Sequence, residues 1–251
     1  MQKTIFITGA TSGIGKAIAH HFASQYHHLI LTGRRAERME EFARYLKSVY
    51  GVMIHLIPFD IRSRQACEEA VAQLPEWVEQ VDVLVNNAGG AIGRDPFDVA
   101  DLDDWDTMLD TNVKGLLYIT KALLPRIKQS KEPHIINIGS IAGKEVYENG
   151  NLYCAAKHAV HAISQSMRID LLKYGIKVTL VAPGAVETEF SLVRFKGDAQ
   201  KAAAVYQGYQ PLTAEDVANV VGFAANQPPH VCLNEIVLTP TAQANSFYLH
   251  R

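Results

Sequence analysis

Tyr153 and Lys157 stand four residues apart in NLYCAAKHAV, and TGATSGIG fills positions 8–15. Residues four apart on a helix are neighbours on one face, so the pair meets if this stretch is helical. A nearby ammonium favours a phenolate by Coulomb attraction. The spacing therefore predicts that Lys157 lowers the pKa of Tyr153 and makes it a usable acid and base near neutral pH. The short apolar run before TGATSGIG reads as a strand entering a glycine-rich turn, which can seat a pyrophosphate. A nucleotide cradle together with a tuned phenol implies hydride chemistry on a nicotinamide nucleotide.

Gly9, Gly13 and Gly15 are spaced G-x-x-x-G-x-G. Glycine reaches backbone angles closed to other residues and has no side chain to hold off a phosphate. A helix beginning near Ile14 would aim its N-terminal amides and dipole at an anion, and Thr8, Thr11 and Ser12 add hydroxyl donors. Because Lys16 follows Gly15, a kinase-like phosphate loop is the rival. It fails on spacing, since G-x-x-x-x-G-K-[ST] needs Gly at position 10 and Ser or Thr at 17, and both are Ala. An NAD site usually carries an acid about 20 residues past the glycines. That zone here is Thr32-Gly33-Arg34-Arg35. Two guanidiniums suit a 2′-phosphate, so the expected cofactor is NADP(H). A solvated basic start to the next helix, with Arg38 part of it, is the plainer alternative.

These residues need a scaffold. Short β-branched runs predict strands at Thr4–Thr8, Leu29–Thr32, Met53–Pro58, Val81–Asn86, His134–Ile138, Lys177–Val181 and Glu235–Leu238. Amphipathic stretches predict helices near 14–25, 36–49, 63–73, 103–128, 153–173 and 214–225. Strand and helix alternate throughout, the pattern of an α/β fold with a doubly wound, seven-stranded parallel sheet and helices on both faces. No composition break divides 1–251, so one domain is expected. Segment 187–212 lacks strand character and leaves the sheet at its carboxyl edge, where ligands bind in open α/β folds. It is expected to be a substrate lid.

The bulk numbers narrow the partners. Of 251 residues 48% are hydrophobic and the formal net charge is −2. That composition fits a globular chain and gives no reason to expect nucleic acid or an anionic membrane. No apolar run approaches the roughly 20 residues of a membrane helix, and Ile5-Phe6-Ile7 is too short for a signal sequence. Cys67, Cys154 and Cys232 are odd in number and far apart. They imply neither a disulfide framework nor a zinc site, and a reducing cytoplasm is the expected setting. His20, His21, His27 and His28 have no ligand spacing, so no metal is expected.

Seven pieces in order resemble the short-chain dehydrogenases/reductases over nearly the whole length. They are TGATSGIG, Asp60-Ile61, NNAG at 86–89, Asn112 in DTNVKG, Ser140 in INIGS, YCAAK at 153–157, and PGAVETEF at 183–190. The resemblance implies a role for each matching position. Asp60 and Ile61 would hold the adenine. Asn87, Ala88 and Gly89 would line the adenosine ribose. Pro183, Gly184 and Thr188 would lie against the nicotinamide amide, with Val186 counted on the cofactor side. Ser140 would hydrogen-bond the substrate oxygen, Tyr153 would exchange its proton, Lys157 would bind the nicotinamide ribose, and Asn112 would hold a water in the proton relay.

Within that family the chain is most similar to NADP-dependent 3-hydroxy acid dehydrogenases. This narrower likeness rests on TGRRAERMEE at 32–41, INIGSIAGKEVYENGNLYCAAK at 136–157, TEFSLVRFKGD at 188–198 and PLTAEDVA at 211–218. Lys144-Glu145, beside the active-site loop, departs from it. The implied substrate is a small 3-hydroxy acid of the serine, allo-threonine or 3-hydroxypropionate type. Its carboxylate must be paired once water is excluded, and Arg194 is the candidate; a solvated lid arginine is the alternative. The resemblance further implies a homotetramer, with a dimer as the smaller option, paired through helices 103–128 and 153–173. A carbonyl or ketoacyl reductase of broader specificity and a non-catalytic NADP-sensing protein are the competing functions.

Overall fold

The computed structural model describes residues 2–251. Seven parallel strands form one sheet: β1 (Thr4–Ile7), β2 (His28–Gly33), β3 (Ile54–Pro58), β4 (Val83–Asn86), β5 (His134–Ile138), β6 (Lys177–Pro183) and β7 (Glu235–Leu238). Their order is β3-β2-β1-β4-β5-β6-β7. The chain runs outward from β1 to one edge, returns to β4, and runs to the other, so a crevice opens where the direction reverses. The expected α/β class is borne out, and every expected strand is present within two residues at each end.

The strands are near-continuous apolar runs because both faces are covered. One layer packs Ile5, Ile7, Leu29, Leu31, Val83, Val85 and Ile136 against α1 (Gly13–Ser24), α2 (Ala36–Tyr50) and α9 (Ala214–Ala225). The other packs Phe6, Ile30, Leu84, Ile135 and Val178 against α3 (Arg64–Ala72) and α5 (Leu116–Ile127). Each such buried side chain contributes on the order of 1.5–3 kcal/mol. Two buried asparagines interrupt the apolar pattern. Asn86 donates to Thr120 Oγ1 at 2.8 Å and Asn137 Oδ1 at 2.9 Å, and Asn137 donates to Ser164 Oγ at 2.8 Å. This chain ties β4 and β5 to α5 and α6 (Asn151–Asp170), the helix that carries Tyr153 and Lys157.

The single helix expected over 103–128 is three pieces. These are α4 (Leu102–Leu109), a π-helical turn (Asp110–Gly115) and α5. The 187–212 segment contains two short helices, α7 (Glu189–Arg194) and α8 (Ala199–Ala204).

Candidate active site

The glycine turn links β1 to α1. Gly9 and Gly13 take φ of +67° and +50°, which a side chain would strain. A Cβ on Gly15 would come within 2.3 Å of Gly9 O. Asn87 fastens the turn from the end of β4, its Nδ2 donating to Thr8 O at 2.9 Å and Gly9 O at 3.1 Å. Thr8 Oγ1 in turn accepts the N–H groups of Asn87 and Ala88, both at 2.9 Å. Ser12 stands at the N-cap of α1 yet makes no side-chain cap bond. The start of a twelve-residue helix therefore faces the crevice without the usual internal acceptor, which suits a pyrophosphate.

At the end of β2, Arg34 lines the crevice and forms no ion pair among the described residues. Arg35 is committed elsewhere. It donates to Thr11 Oγ1 (2.9 Å) and Ser12 Oγ (2.6 Å), and pairs with Glu189 at 2.9 Å. Asp60 lines the crevice beside Ile61 and is gripped by Arg62, which holds its carboxyl below the ordinary range. Ile61 packs where a Cβ on Gly115 would meet it at 2.9 Å. The residues present thus fit an adenine dinucleotide with an added 2′-phosphate: bare helix amides, hydroxyls, and one free guanidinium.

The other end of the crevice gathers Ser140, Tyr153 and Lys157. Tyr153 and Lys157 lie on the first turns of α6, both buried. Lys157 Nζ donates to Ile138 O at 3.0 Å and sits 6.0 Å from the centroid of the Tyr153 ring. Ser140 begins a short 3-10 turn (Ile141–Gly143) at the end of β5. Burial dominates the titration of both groups. It raises the Tyr153 phenol well above its ordinary 10.0, with Tyr147 adding to the rise; a hydrogen bond with Ser140 and the Arg194 charge act the other way. It lowers the Lys157 ammonium from 10.5 to about 8. The expectation that Lys157 acidifies Tyr153 is corrected here: at this distance, Lys157 does not outweigh the loss of water around the phenol, whose pKa burial raises.

Asn112 lies on the π turn. Its Nδ2 donates to Gly90 O and Met108 O, both at 2.9 Å, and its Oδ1 accepts Gly90 N–H at 3.2 Å. Both amide hydrogens are spent on the protein, leaving only Oδ1 capacity for a water. A Cβ on Gly89 would lie 2.6 Å from that Oδ1 and 3.6 Å from Lys157 Nζ, so the loop needs glycine there. Pro183, which ends β6, and Gly184, Val186 and Thr188 beyond it line the crevice wall. Gly184 packs on Gln243, which accepts Ala185 N–H at 2.9 Å.

Arg194 ends α7 and is buried against the Tyr153 ring, its Cζ 5.4 Å from the centroid. Nη1 donates to Tyr147 Oη at 3.0 Å, while Nε has no partner. No carboxylate pairs with it among the described residues. Arg94 lies 5.8 Å from the Tyr147 ring centroid, also without an ion pair. Lys144 and Glu145 turn away from the crevice: Lys144 pairs with Glu235, and Glu145 accepts Ser246 N–H at 2.8 Å. Tyr147, Arg94, Glu189 and Gln243 were not singled out from sequence. Glu189 is inside PGAVETEF, but nothing in that string shows that it reaches Arg35.

The geometry finds its match among known proteins. Residues 3–198 fit the family model described as short chain dehydrogenase. This chain belongs to the short-chain dehydrogenase family. An NADP-dependent 3-hydroxy acid dehydrogenase of Escherichia coli K12 is 45% identical over 242 residues, 96% of each chain. A sulfoacetaldehyde reductase of Chromohalobacter salexigens is 45% identical over 249 residues, 99% of this chain and 98% of that one. The closed form of a serine dehydrogenase complexed with NADP+ superposes with a TM-score of 0.92 at 44% identity over 99% of both chains.

Proposed function

We propose that this short-chain dehydrogenase is an NADP(H)-dependent oxidoreductase interconverting a small 3-hydroxy acid and its oxo form. The carrying observation is Arg194: a buried guanidinium with a free Nε and no acid partner, beside Tyr153 and Ser140 in one crevice. A buried cation without a counter-ion is costly, and a substrate carboxylate fits its planar fork. The names of the relatives, hydroxy acid and serine dehydrogenases, support the same substrate class.

Bound along the glycine turn, the nicotinamide nucleotide would supply or accept the hydride. Gly9, Gly13, Ile14 and Ser12 would hold its pyrophosphate, Arg34 its 2′-phosphate, and Asp60 and Ile61 its adenine. The chain handles the proton. In reduction, Tyr153, kept protonated by burial, donates from Oη to the carbonyl oxygen while Ser140 steadies the developing negative charge. The Lys157 ammonium then stabilises the phenolate left behind. Oxidation is the reverse, with Tyr153 taking the alcohol proton. Arg194 fixes the carboxylate, and segment 187–212 serves as the lid that excludes water.

Arg194→Ala tests the substrate class. KM for 3-hydroxy acids should rise by tens of times, with KM for neutral alcohols or aldehydes within about twofold. Equal small rises would favour the broader carbonyl-reductase reading. A second reading, a hydroxysulfonate or its aldehyde, is favoured by Arg94, whose guanidinium lies 5.8 Å from the centroid of the same Tyr147 ring that Arg194 approaches at 5.5 Å; a pair of guanidiniums suits a three-oxygen anion. The sulfoacetaldehyde reductase relative accords with it.

The same reading takes the chain as one cofactor-binding domain, cytoplasmic and homotetrameric, a dimer being the smaller alternative. Three free cysteines accord with a reducing compartment. Exposed Leu102, Leu117, Ile169 and Leu172, on α4, on α5, on α6 and just beyond it, supply apolar surface for pairing. Light scattering at micromolar concentration should give four times the 27.7 kDa chain mass; a monomer mass would overturn the assembly.

A further inference from the structure

Glu189 is the first residue of α7 and reaches back across the crevice to the start of α2. Its Oε2 lies 2.9 Å from Arg35 Nη1 and its Oε1 3.0 Å from Arg38 Nη1. Arg35 meanwhile gives Nε and Nη2 to Thr11 and Ser12. Of its five N–H donors, four are used, one of them by the Glu189 carboxylate. The same end of α7 rests on the glycine turn, since a Cβ on Gly13 would touch the Thr188 side chain at 3.3 Å. Both Arg35 and Glu189 line the crevice. An anion already belonging to the chain thus sits on one of the two guanidiniums that the sequence offers to a 2′-phosphate.

We propose that Glu189 is a cofactor-discriminating latch: its carboxylate occupies Arg35 as an internal stand-in for the 2′-phosphate, and that phosphate displaces it when Arg35 grips the cofactor. The inference rests on the NADP reading of the site. A carboxylate and a phosphate dianion on one guanidinium repel each other, and the phosphate, with more charge and more acceptor oxygens, wins the contact. A ligand shifts an equilibrium only by its differential affinity for the two states. A dinucleotide carrying the 2′-phosphate therefore displaces Glu189 from Arg35, whereas one without it leaves the pair in place. The neighbouring charges agree: Arg35 and Arg38 together hold the Glu189 carboxyl below its ordinary range, so it is ionised throughout the neutral region.

Calorimetric titration of the full chain with adenosine 2′,5′-bisphosphate and with 5′-ADP tests this without turnover. Glu189→Gln keeps the shape and removes the charge. It should tighten the 2′,5′-bisphosphate by about three- to tenfold, the range of an exposed ion pair with two cations, and change 5′-ADP less than twofold. Glu37→Gln, an acid in the first turn of α2, controls for the general field and should change neither. Unchanged or weakened 2′,5′-bisphosphate binding in Glu189→Gln overturns the latch, as does equal tightening in Glu37→Gln. A wild-type protein that does not prefer the 2′,5′-bisphosphate to 5′-ADP sinks the NADP reading itself, and the latch with it.

Discussion

Tyr153 shows how far a residue pair can be interpreted before its surroundings are known. Spacing alone puts Tyr153 and Lys157 on one helix face, and that holds. What spacing does not carry is burial: both groups are out of water, so the phenol rises and the ammonium falls to about 8. In the free protein Tyr153 is then an acid waiting for a substrate oxygen. Tyr153→Phe keeps the ring against Phe190, 5.6 Å between centroids, and removes only the proton. We expect kcat to fall by at least ~100-fold, with adenosine 2′,5′-bisphosphate binding unchanged. Turnover within tenfold of wild type would mean that another group supplies the proton. The anion end was less legible. Arg194 stood out because of its segment, but Tyr147 and Arg94 come from loops remote in sequence, and no local pattern brings them to Arg194.

At the scale of elements, the break between α4 and α5 is the clearest gap between pattern and structure. The apolar period runs through 103–128 with no Pro or Gly-Ser signal at the break, so a continuous helix is its natural reading. A π turn keeps the chain helical and only closes its hydrogen bonds one residue later, so the amphipathic stretches on either side read as one helix. Its consequence is local: Asn112 is carried inward to clamp the Gly90 backbone and Met108 O. Asn112→Ala removes three hydrogen bonds of 2.9–3.2 Å and leaves buried backbone groups unpaired. The expected cost is about 1–3 kcal/mol, a drop in Tm of several degrees for a chain of this size. Because Gly89 lies between Asn112 and Lys157, a Cβ there meeting both side chains, loosening this loop should disturb Lys157, and kcat should fall as well. A Tm within 1 °C of wild type, read by scanning calorimetry, would mean that the π turn holds without its asparagine.

Across the whole molecule, seven strands in a doubly wound parallel sheet followed from strand–helix alternation, because a parallel sheet covered on both faces writes each strand as a short apolar run. The exceptions to that apolar rule set the acid limit of the fold. His134 opens β5 and is fully enclosed, its Nε2 bonded to Thr179 Oγ1 at 2.8 Å and its Nδ1 without a partner. Burial, with Lys177 and Lys3 nearby, pushes it from 6.5 down to about 3. His27, before β2 and beside Lys3 and Asp82, is pushed to about 4, chiefly by burial. Between those values and 6.5 the unfolded chain binds protons that the folded chain refuses. Stability is therefore whole above about pH 6.5 and is lost as pH falls through this window. A histidine that stays neutral when folded contributes a slope of up to about 1.4 kcal/mol per pH unit there. Urea unfolding of wild type at pH 7, 5.5 and 4.5 should show a falling midpoint. His134→Gln starts lower at pH 7, having lost a fitted ring, but its midpoint should fall less steeply, since the protonation of the most strongly shifted histidine is gone. Parallel profiles for the two proteins would show that His134 is not what limits the fold in acid, and would shift that role to His27 and the ion pairs around it.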